Sequence, residues 1–388
     1  MKIKESFKKL KYYCERENFK GWDPYDGLNS WVMQKTPLGK SRFFRLAWIQ
    51  LFKRNPVNFR KLVGVKKDYN PKGLGLFLIG YCNLYKKDQR QEYLDKINFL
   101  SKELIRLKTQ DYSGACWGYN FDWQARAFFQ PKYTPTVVAT SFIGEALLMA
   151  YDITKSPNLL AIAESCCDFI LKDLNKSFDS DDNYTLSYSP LDNTQVFNAG
   201  LLGAKLLCLV YKYTKDEQLL KEARSIVSYV CSKQFEDGSW SYGTLPYHQW
   251  IDNFHTGYNL ECIFAYQTIS GDRSFSNNIK TGLDYYLENF FTEEGISKYY
   301  NNQTYPIDIH APAQLVVTLA KMNELKDNKE LVDKVLNWTI DNMQDTKGYF
   351  YYQKKKTVTS KIPYIRWAQS WMFYAFSYYV LEFIENVE

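Results

Sequence analysis

Residues 234–260 read QFEDGSWSYGTLPYHQWIDNFHTGYNL. A Gly-aromatic turn, two of the chain's three histidines, an acid-amide pair and the start of an apolar helix follow one another along this stretch. It decides the fold because its plan recurs. GACWGYNFDW from Gly114 precedes a predicted helix over 136–153, the turn TKSPN and a second helix over 159–174. NYTLSYSPLD leads to helices over 194–213 and 218–234 joined by TKDE, and GSWSYG leads to helices over 254–269 and 274–290 joined by SGD. GISKYYNNQTYPID precedes helices over 311–325 and, after KDNKE, up to 343. GYFYYQKKKTVTSKIPY then enters a last helix over 366–385.

A period of about 55–60 residues fits one helical hairpin plus a long loop. The first helix of each pair is the more apolar, as an inner helix is. The second carries charge on one side (Lys221, Glu222, Arg224), as an outer helix does. Residues 70–107 add a hairpin without the aromatic lead. Five complete hairpins and a terminal helix leave a sixth pair to close, for which either N-terminal stretch, 4–17 or 38–52, is suitable. Twelve helices in six hairpins predict an all-α (α/α)6 toroid with short β-hairpin loops at one mouth; an open helical solenoid is the alternative. The division expected is an N-terminal basic, aromatic helical segment over 1–69 packing on a toroid over 70–388.

Aromatics are heavy, with 32 Tyr, 25 Phe and 10 Trp. They supply core, and their mixed apolar and polar surface also suits carbohydrate. The eight cysteines form no CxxC pair and fall in apolar helical runs, which reads as buried thiols in a reducing, cytoplasmic setting. No signal-peptide core and no run of 18 apolar residues is present, so a membrane span is not expected. The net charge of +6 is uneven: between residues 28 and 67 there are ten Lys and Arg and no Asp or Glu. Such a segment suits peripheral contact with an anionic membrane at its inner face, a polyanionic substrate, or simply a solvated face. No nucleic-acid module, P-loop or dinucleotide fingerprint accompanies it.

Superposing the repeats on their turns places His255 and His310 in one column, at the mouth-side start of inner helices, with Asp252 and Asp308 just upstream. Asp192 and Asn198 stand in the same region of the second repeat, and Arg366 and Gln369 in the last. These are cavity residues or helix caps. The loops add Tyr119, Asp122, Trp123, Arg126, Tyr188, Trp240, His248 and Trp250, and Tyr258 follows His255 by three. Asp252 and Asp122 are the candidate catalytic carboxylates, and His255 and His310 the proton-transfer groups. Tyr119, Tyr188 and Tyr258 are secondary acids. Arg126 and Arg366 would bind an anionic group, and Trp123, Trp240 and Trp250 would stack on a sugar. Asp192, Asn198, His248, Asp308 and Gln369 complete the substrate-binding set. No metal site and no cofactor are expected. Asp179, Ser180, Asp181 and Asp182 match the DxDD of protonating terpene cyclases, whose acid must face an apolar pocket; the alternative is a solvated turn.

FKGWDPYDGLNS, WGYNFDWQAR, PTVVATSF, SPLDNTQVFNAGLLGAKLL and DNFHTGYNL resemble, over nearly the whole chain, a family of bacterial and archaeal proteins found in surface-polysaccharide biosynthesis settings. Some of its members carry a δ-aminolevulinic acid dehydratase label, which suits a β/α barrel and not helical hairpins. More distantly the chain is similar to six-hairpin glycosidase-like toroids: glycoside hydrolases, polysaccharide lyases and glucuronyl epimerases. The resemblance implies a fold and a setting, a glycan or lipid-linked glycan of O-antigen or capsule type, and assigns no catalytic residue. The functions expected are acid-base chemistry of hydrolase, lyase or uronate epimerase type, a terpenoid-cyclase-like activity, or a non-catalytic glycan-binding subunit.

Overall fold

The computed structural model describes residues 1–125 and 129–385. After α1 (Lys2–Arg16), α2 (Trp31–Lys35) and α3 (Arg42–Arg54), the chain forms five hairpins. These are α4 (Pro71–Lys87) with α5 (Gln91–Arg106), α6 (Val137–Thr154) with α7 (Pro157–Asp168), α8 (Phe197–Thr214) with α9 (Glu217–Cys231), α10 (Asn253–Ser270) with α11 (Ser276–Phe290), and α12 (His310–Lys321) with α13 (Lys329–Met343). Helix α14 (Ser370–Phe383) ends the described chain. The even-numbered helices α4 to α14 pack each on the next, and α14 packs back on α4, so the inner ring is closed. The architecture is therefore an (α/α)6 toroid, not an open solenoid. Helix α1 packs on α13 and α14. Of the two N-terminal stretches that could complete the sixth pair, it is the first that packs there.

The hairpins are cut to length by local chemistry. Asn70, Thr136 and Asp252 cap α4, α6 and α10 with side-chain oxygens that accept from Gly73, Ala139 and His255 N–H. Lys155, Lys215 and Gly271 end α6, α8 and α10 in the left-handed conformation, each N–H donating to the carbonyl four residues back. Inner helices are apolar on most sides. By composition α6 is long and apolar enough to cross a membrane, yet 72% of that window is buried inside the ring, so its hydropathy is that of a core helix. All eight cysteines are free and buried.

The repeated turns tie each hairpin to its neighbour. Gly238 has φ +89, and a Cβ there would lie 2.2 Å from Thr281 O of α11. Gly348 has φ +96, and its Cβ would lie 2.3 Å from Lys9 O of α1. Four residues before each glycine stands a glutamine that reaches the same neighbour. Gln234 donates to Asn278 O and Gly238 O (3.0 and 2.8 Å), and Gln344 donates to Ser6 O and Gly348 O (both 3.0 Å). The leading tryptophans are part of this clamp: Trp117 Nε1 donates to Leu104 O at 2.7 Å and Trp240 Nε1 to Val230 O at 3.1 Å, filling acceptors near the ends of α5 and α9.

Short antiparallel pairs follow the turns: β1 (Trp123–Gln124) with β2 (Phe129–Gln130), β3 (Lys176–Phe178) with β4 (Tyr184–Leu186), and β5 (Ile307–Asp308) with β6 (Gln353–Lys354) and β7 (Thr359–Ser360). The DSDD run is the turn between β3 and β4. Asp179 accepts from Asp181 and Asn183 N–H, and Asp181 and Asp182 are exposed. A protonating acid in an apolar pocket is thereby excluded for this motif, because the loop is solvated.

Below the mouth the ring is plugged by charge. Lys205 of α8 lies 2.8 Å from Glu145 of α6 and 3.0 Å from Glu261 of α10, and Lys321 of α12 also bonds Glu145. Burial alone would raise the Glu145 carboxyl, but the two lysines outweigh it and hold the group at about 2. Two cations and two anions cancel, which is what makes such burial tolerable.

The glycine clamp gives a direct test. Gly238→Ala and Gly348→Ala should destabilise by more than Gly271→Ala. Position 271 has φ +78 but nothing within 4 Å of its Cβ, so it carries only backbone strain of about 1 kcal/mol. Urea denaturation midpoints of the three variants check the order.

Candidate active site

The six inner helices start around one cavity of about 580 Å³. Each contributes near its N-terminus: Lys72 from α4, Val138 from α6, Asn198 from α8, Phe254, His255 and Tyr258 from α10, His310 from α12, and Arg366 and Trp367 from the turn that opens α14. Loops add Tyr119, Trp123, Tyr188, Tyr242, His248 and Trp250. Leu46, Ile49 and Lys53 of α3 close one side, so the segment between α1 and α4 is a wall of the mouth. Among the described lining residues there is no Asp or Glu.

Asp252 is 1% exposed and does not face the cavity. Its Oδ1 accepts the His255 backbone N–H at 3.0 Å, its Oδ2 lies 2.7 Å from His255 Nδ1, and Trp250 Nε1 donates to Oδ2 at 2.9 Å. The carboxylate therefore caps α10 and fixes the imidazole, leaving Nε2, among the described residues, as the nitrogen without a protein hydrogen bond. Asp252 holds the ring from behind while His255 lines the cavity.

His310 is buried, stacked on Phe254 (centroids 4.4 Å, planes 6° apart), with Nε2 2.7 Å from Tyr258 Oη and Nδ1 without a partner. Phe254 also packs on His255 at 4.5 Å, so one ring spaces the two histidines. Burial, then the charges of Lys72, His255 and Arg366, hold His310 well below the ordinary imidazole value, and it is neutral. Asp308 caps from behind: it accepts from His310 N–H at 3.0 Å, Trp367 Nε1 at 2.8 Å and Gln353 Nε2 at 3.1 Å. Burial pushes its carboxyl up to about 6 against those hydrogen bonds.

Lys72 was not legible as a site residue. It is 4% exposed, with Nζ over Phe142 (4.4 Å), Trp371 (5.2 Å) and Tyr258 (5.6 Å). Burial, then Arg366, lowers its pKa well below the usual lysine range. Arg366 itself is held by Asp23 through Nε at 2.5 Å and a second nitrogen at 2.8 Å, and covers the Tyr119 ring at 4.8 Å. Tyr242, stacked on Trp250 at 4.6 Å, and Tyr299 are further lining residues missed in the sequence, and Trp367 lines the cavity beside Arg366. The signal for Lys72 was its place, the only charge in the first four turns of α4 and at the helix start; its hairpin lacks the aromatic lead and so offers no superposition.

The expected set divides as follows. His255, His310, Tyr119, Trp123, Tyr188, Asn198, His248, Trp250, Tyr258 and Arg366 come together at the cavity, with Asn198 Oδ1 and His248 Nδ1 buried and unpartnered. Tyr119 and Tyr188 share a hydrogen bond of 3.0 Å. Asp122 stands outside, accepting from Lys132 N–H at 2.8 Å and Gln34 Nε2 at 3.2 Å beside the β1–β2 pair, which removes it from the catalytic set. Asp192 organises its loop by accepting from Ser189 and Thr194 N–H, Gln369 is bound to both backbone groups of Phe350, Asp308 is a cap, and Trp240 is packed on Gly282. None of these four lines the cavity. Arg126 lies outside the described residues. Among the described residues no three His, Cys, Asp or Glu side chains converge as a metal site.

The depressed His310 pKa makes stability depend on pH. Between the free value of 6.5 and the lower folded value the unfolded chain binds the proton more readily, so stability is full above about pH 6.5 and falls as pH drops. Thermal melting followed from about pH 7.5 to about pH 5.5 should show a shallower fall in His310→Gln than in the parent.

No family profile and no curated protein matches the sequence. Solved structures do. The cellobiose 2-epimerase of Bacillus thermoamylovorans superposes with a TM-score of 0.63 at 15% identity, over 81% of this chain and 88% of its own. An unsaturated glucuronyl hydrolase specific for heparin gives 0.62 at 10% identity, over 98% and 97%. A GH76 α-mannanase of Bacteroides thetaiotaomicron gives 0.58 at 12% identity, over 80% and 86%. At these identities the likeness establishes the shared six-hairpin toroid.

Proposed function

We propose that the chain is a carbohydrate-active enzyme that moves a proton at a carbon next to a carbonyl or carboxylate of a sugar, as an epimerase, isomerase or lyase does. The observation that carries this reading is the pairing of His255, fixed by Asp252, with neutral His310 in a cationic, aromatic cavity whose described lining has no carboxylate. Hydrolysis by two carboxylates needs a facing Asp or Glu pair, and Asp252 and Asp122 are both engaged elsewhere. The structural neighbours include epimerases and a glucuronyl hydrolase, which supports a sugar substrate.

His255 Nε2 takes the C–H proton while Asp252 holds Nδ1–H, and the electron pair moves to the carbonyl oxygen. Arg366, a permanent cation in the cavity lining, would stabilise the charge that develops on that oxygen. An anionic substrate favours the charged form of Lys72 and raises His310, since it offsets the like charges that lower both. His310, bonded to Tyr258 and protonated from solvent once the substrate is bound, then returns a proton from another direction, and proton exchange with solvent restores both imidazoles. Aromatic walls such as the Tyr242 and Trp250 stack suit sugar faces. The substrate we favour is a uronate or other acidic residue in a glycan or lipid-linked glycan of surface-polysaccharide synthesis, handled in the cytoplasm.

Incubation with reducing disaccharides and uronate oligosaccharides in deuterium oxide, followed by NMR, should show loss of the C2 or C5 proton signal. His255→Ala and His310→Ala should each slow that exchange by about 100-fold to 10,000-fold, and Asp252→Asn should lower kcat with little change in KM. Glycosidic cleavage without exchange, or glycan binding without any turnover, would remove this reading.

A further inference from the structure

The segment over 28–67 has two faces. Leu46, Ile49 and Lys53 of α3 line the cavity, while Phe43, Phe44 and Leu51 of the same helix point to solvent. Exposure is high for large apolar groups: Phe43 is 72% exposed, and the turn after α3 adds Val57 at 67% and Leu62 at 82%. Trp31 is half-exposed beside that turn, its N–H donating to Val63 O at 3.1 Å and its ring next to Gly64. Single exposed apolar residues need no explanation, but this many within one short segment mark a contact surface.

Charge identifies the occupant. Arg60 is paired with Asp26 and Lys67 with Glu17, whereas Lys35, Lys40, Arg54, Lys61 and Lys66 are exposed, and no acid lies between residues 28 and 67 to answer them. A second copy of the same face would set cation against cation. An anionic bilayer instead offers diffuse negative charge to scattered lysines and an apolar layer to Phe, Trp and Leu.

We propose that the outer face of α3 and the turn over 57–64 dock the protein on an anionic membrane, with the cavity wall formed by the opposite face of the same helix. This goes beyond the proton-transfer reading, and vesicle binding is measured without turnover, so either can fail alone. Co-sedimentation of the full chain with phosphatidylcholine vesicles containing about one-third phosphatidylglycerol should show binding that pure phosphatidylcholine lacks and that high salt weakens. Phe43→Ser with Leu62→Ser should weaken it by about tenfold or more, with unchanged melting because both side chains are exposed. Lys35→Gln with Lys61→Gln should weaken it by about tenfold or more while leaving the apolar face intact. Binding that ignores lipid charge, absence of binding to either vesicle, or a dimer in solution that the Phe43→Ser, Leu62→Ser pair dissolves would each overturn the proposal.

Discussion

Two junctions of the ring share one contact. A turn glycine in the left-handed region lies against the backbone of the next outer helix, and a glutamine four residues earlier bonds to both. No hairpin of this type can bury its inner face alone; lateral contact fixes the angle at which each meets the next. At the last junction the partner is α1, because Gly348 and Gln344 meet Lys9 and Ser6. The first helix of the chain and its last loop therefore close the circle, and six inner N-termini are brought to one axis.

The chemistry of the mouth follows from that convergence. A helix start offers unpaired N–H groups, and a carboxylate placed just before it turns back to accept them. Asp252 and Asp308 do this, and so they leave the cavity surface to the imidazoles they support. The lining keeps Lys53, Lys72 and Arg366, and the Asp23 carboxylate behind it is already committed to Arg366. Deeper in the ring Lys205, Lys321, Glu145 and Glu261 balance one another. At the mouth the carboxylates stand behind the described lining, which itself carries no Asp or Glu.

Helix α3 links this cavity to the outside. Its inward residues are walls of the site, and its outward residues Phe43, Phe44 and Leu51 are exposed. Lys53 shows the inward half: it donates to Tyr25 Oη at 2.8 Å at the cavity edge instead of reaching solvent.

Much of this was written in the sequence. The recurrence of aromatic turn, apolar helix and charged helix fixed the hairpin, and six hairpins fixed the toroid, because local period and polarity survive without knowledge of partners. Position at the start of an inner helix placed His255, His310, Asn198, Tyr258 and Arg366 at the cavity. Position could not say where a side chain turns once there. Asp252 and Asp308 had backbone N–H groups and ligand space within equal reach, and only the packed ring shows the backbone taken. Trp240 and Trp250 stand in one loop, yet the first is drawn onto an outer helix and the second onto Tyr242. Lys72 joins the site from a hairpin with no aromatic turn to align it, and α1 rather than α3 completes the ring. The closure by α1 depends on contacts between residues hundreds of positions apart, and the side-chain choices at the mouth depend on what the assembled ring packs around each residue; no local pattern encodes either.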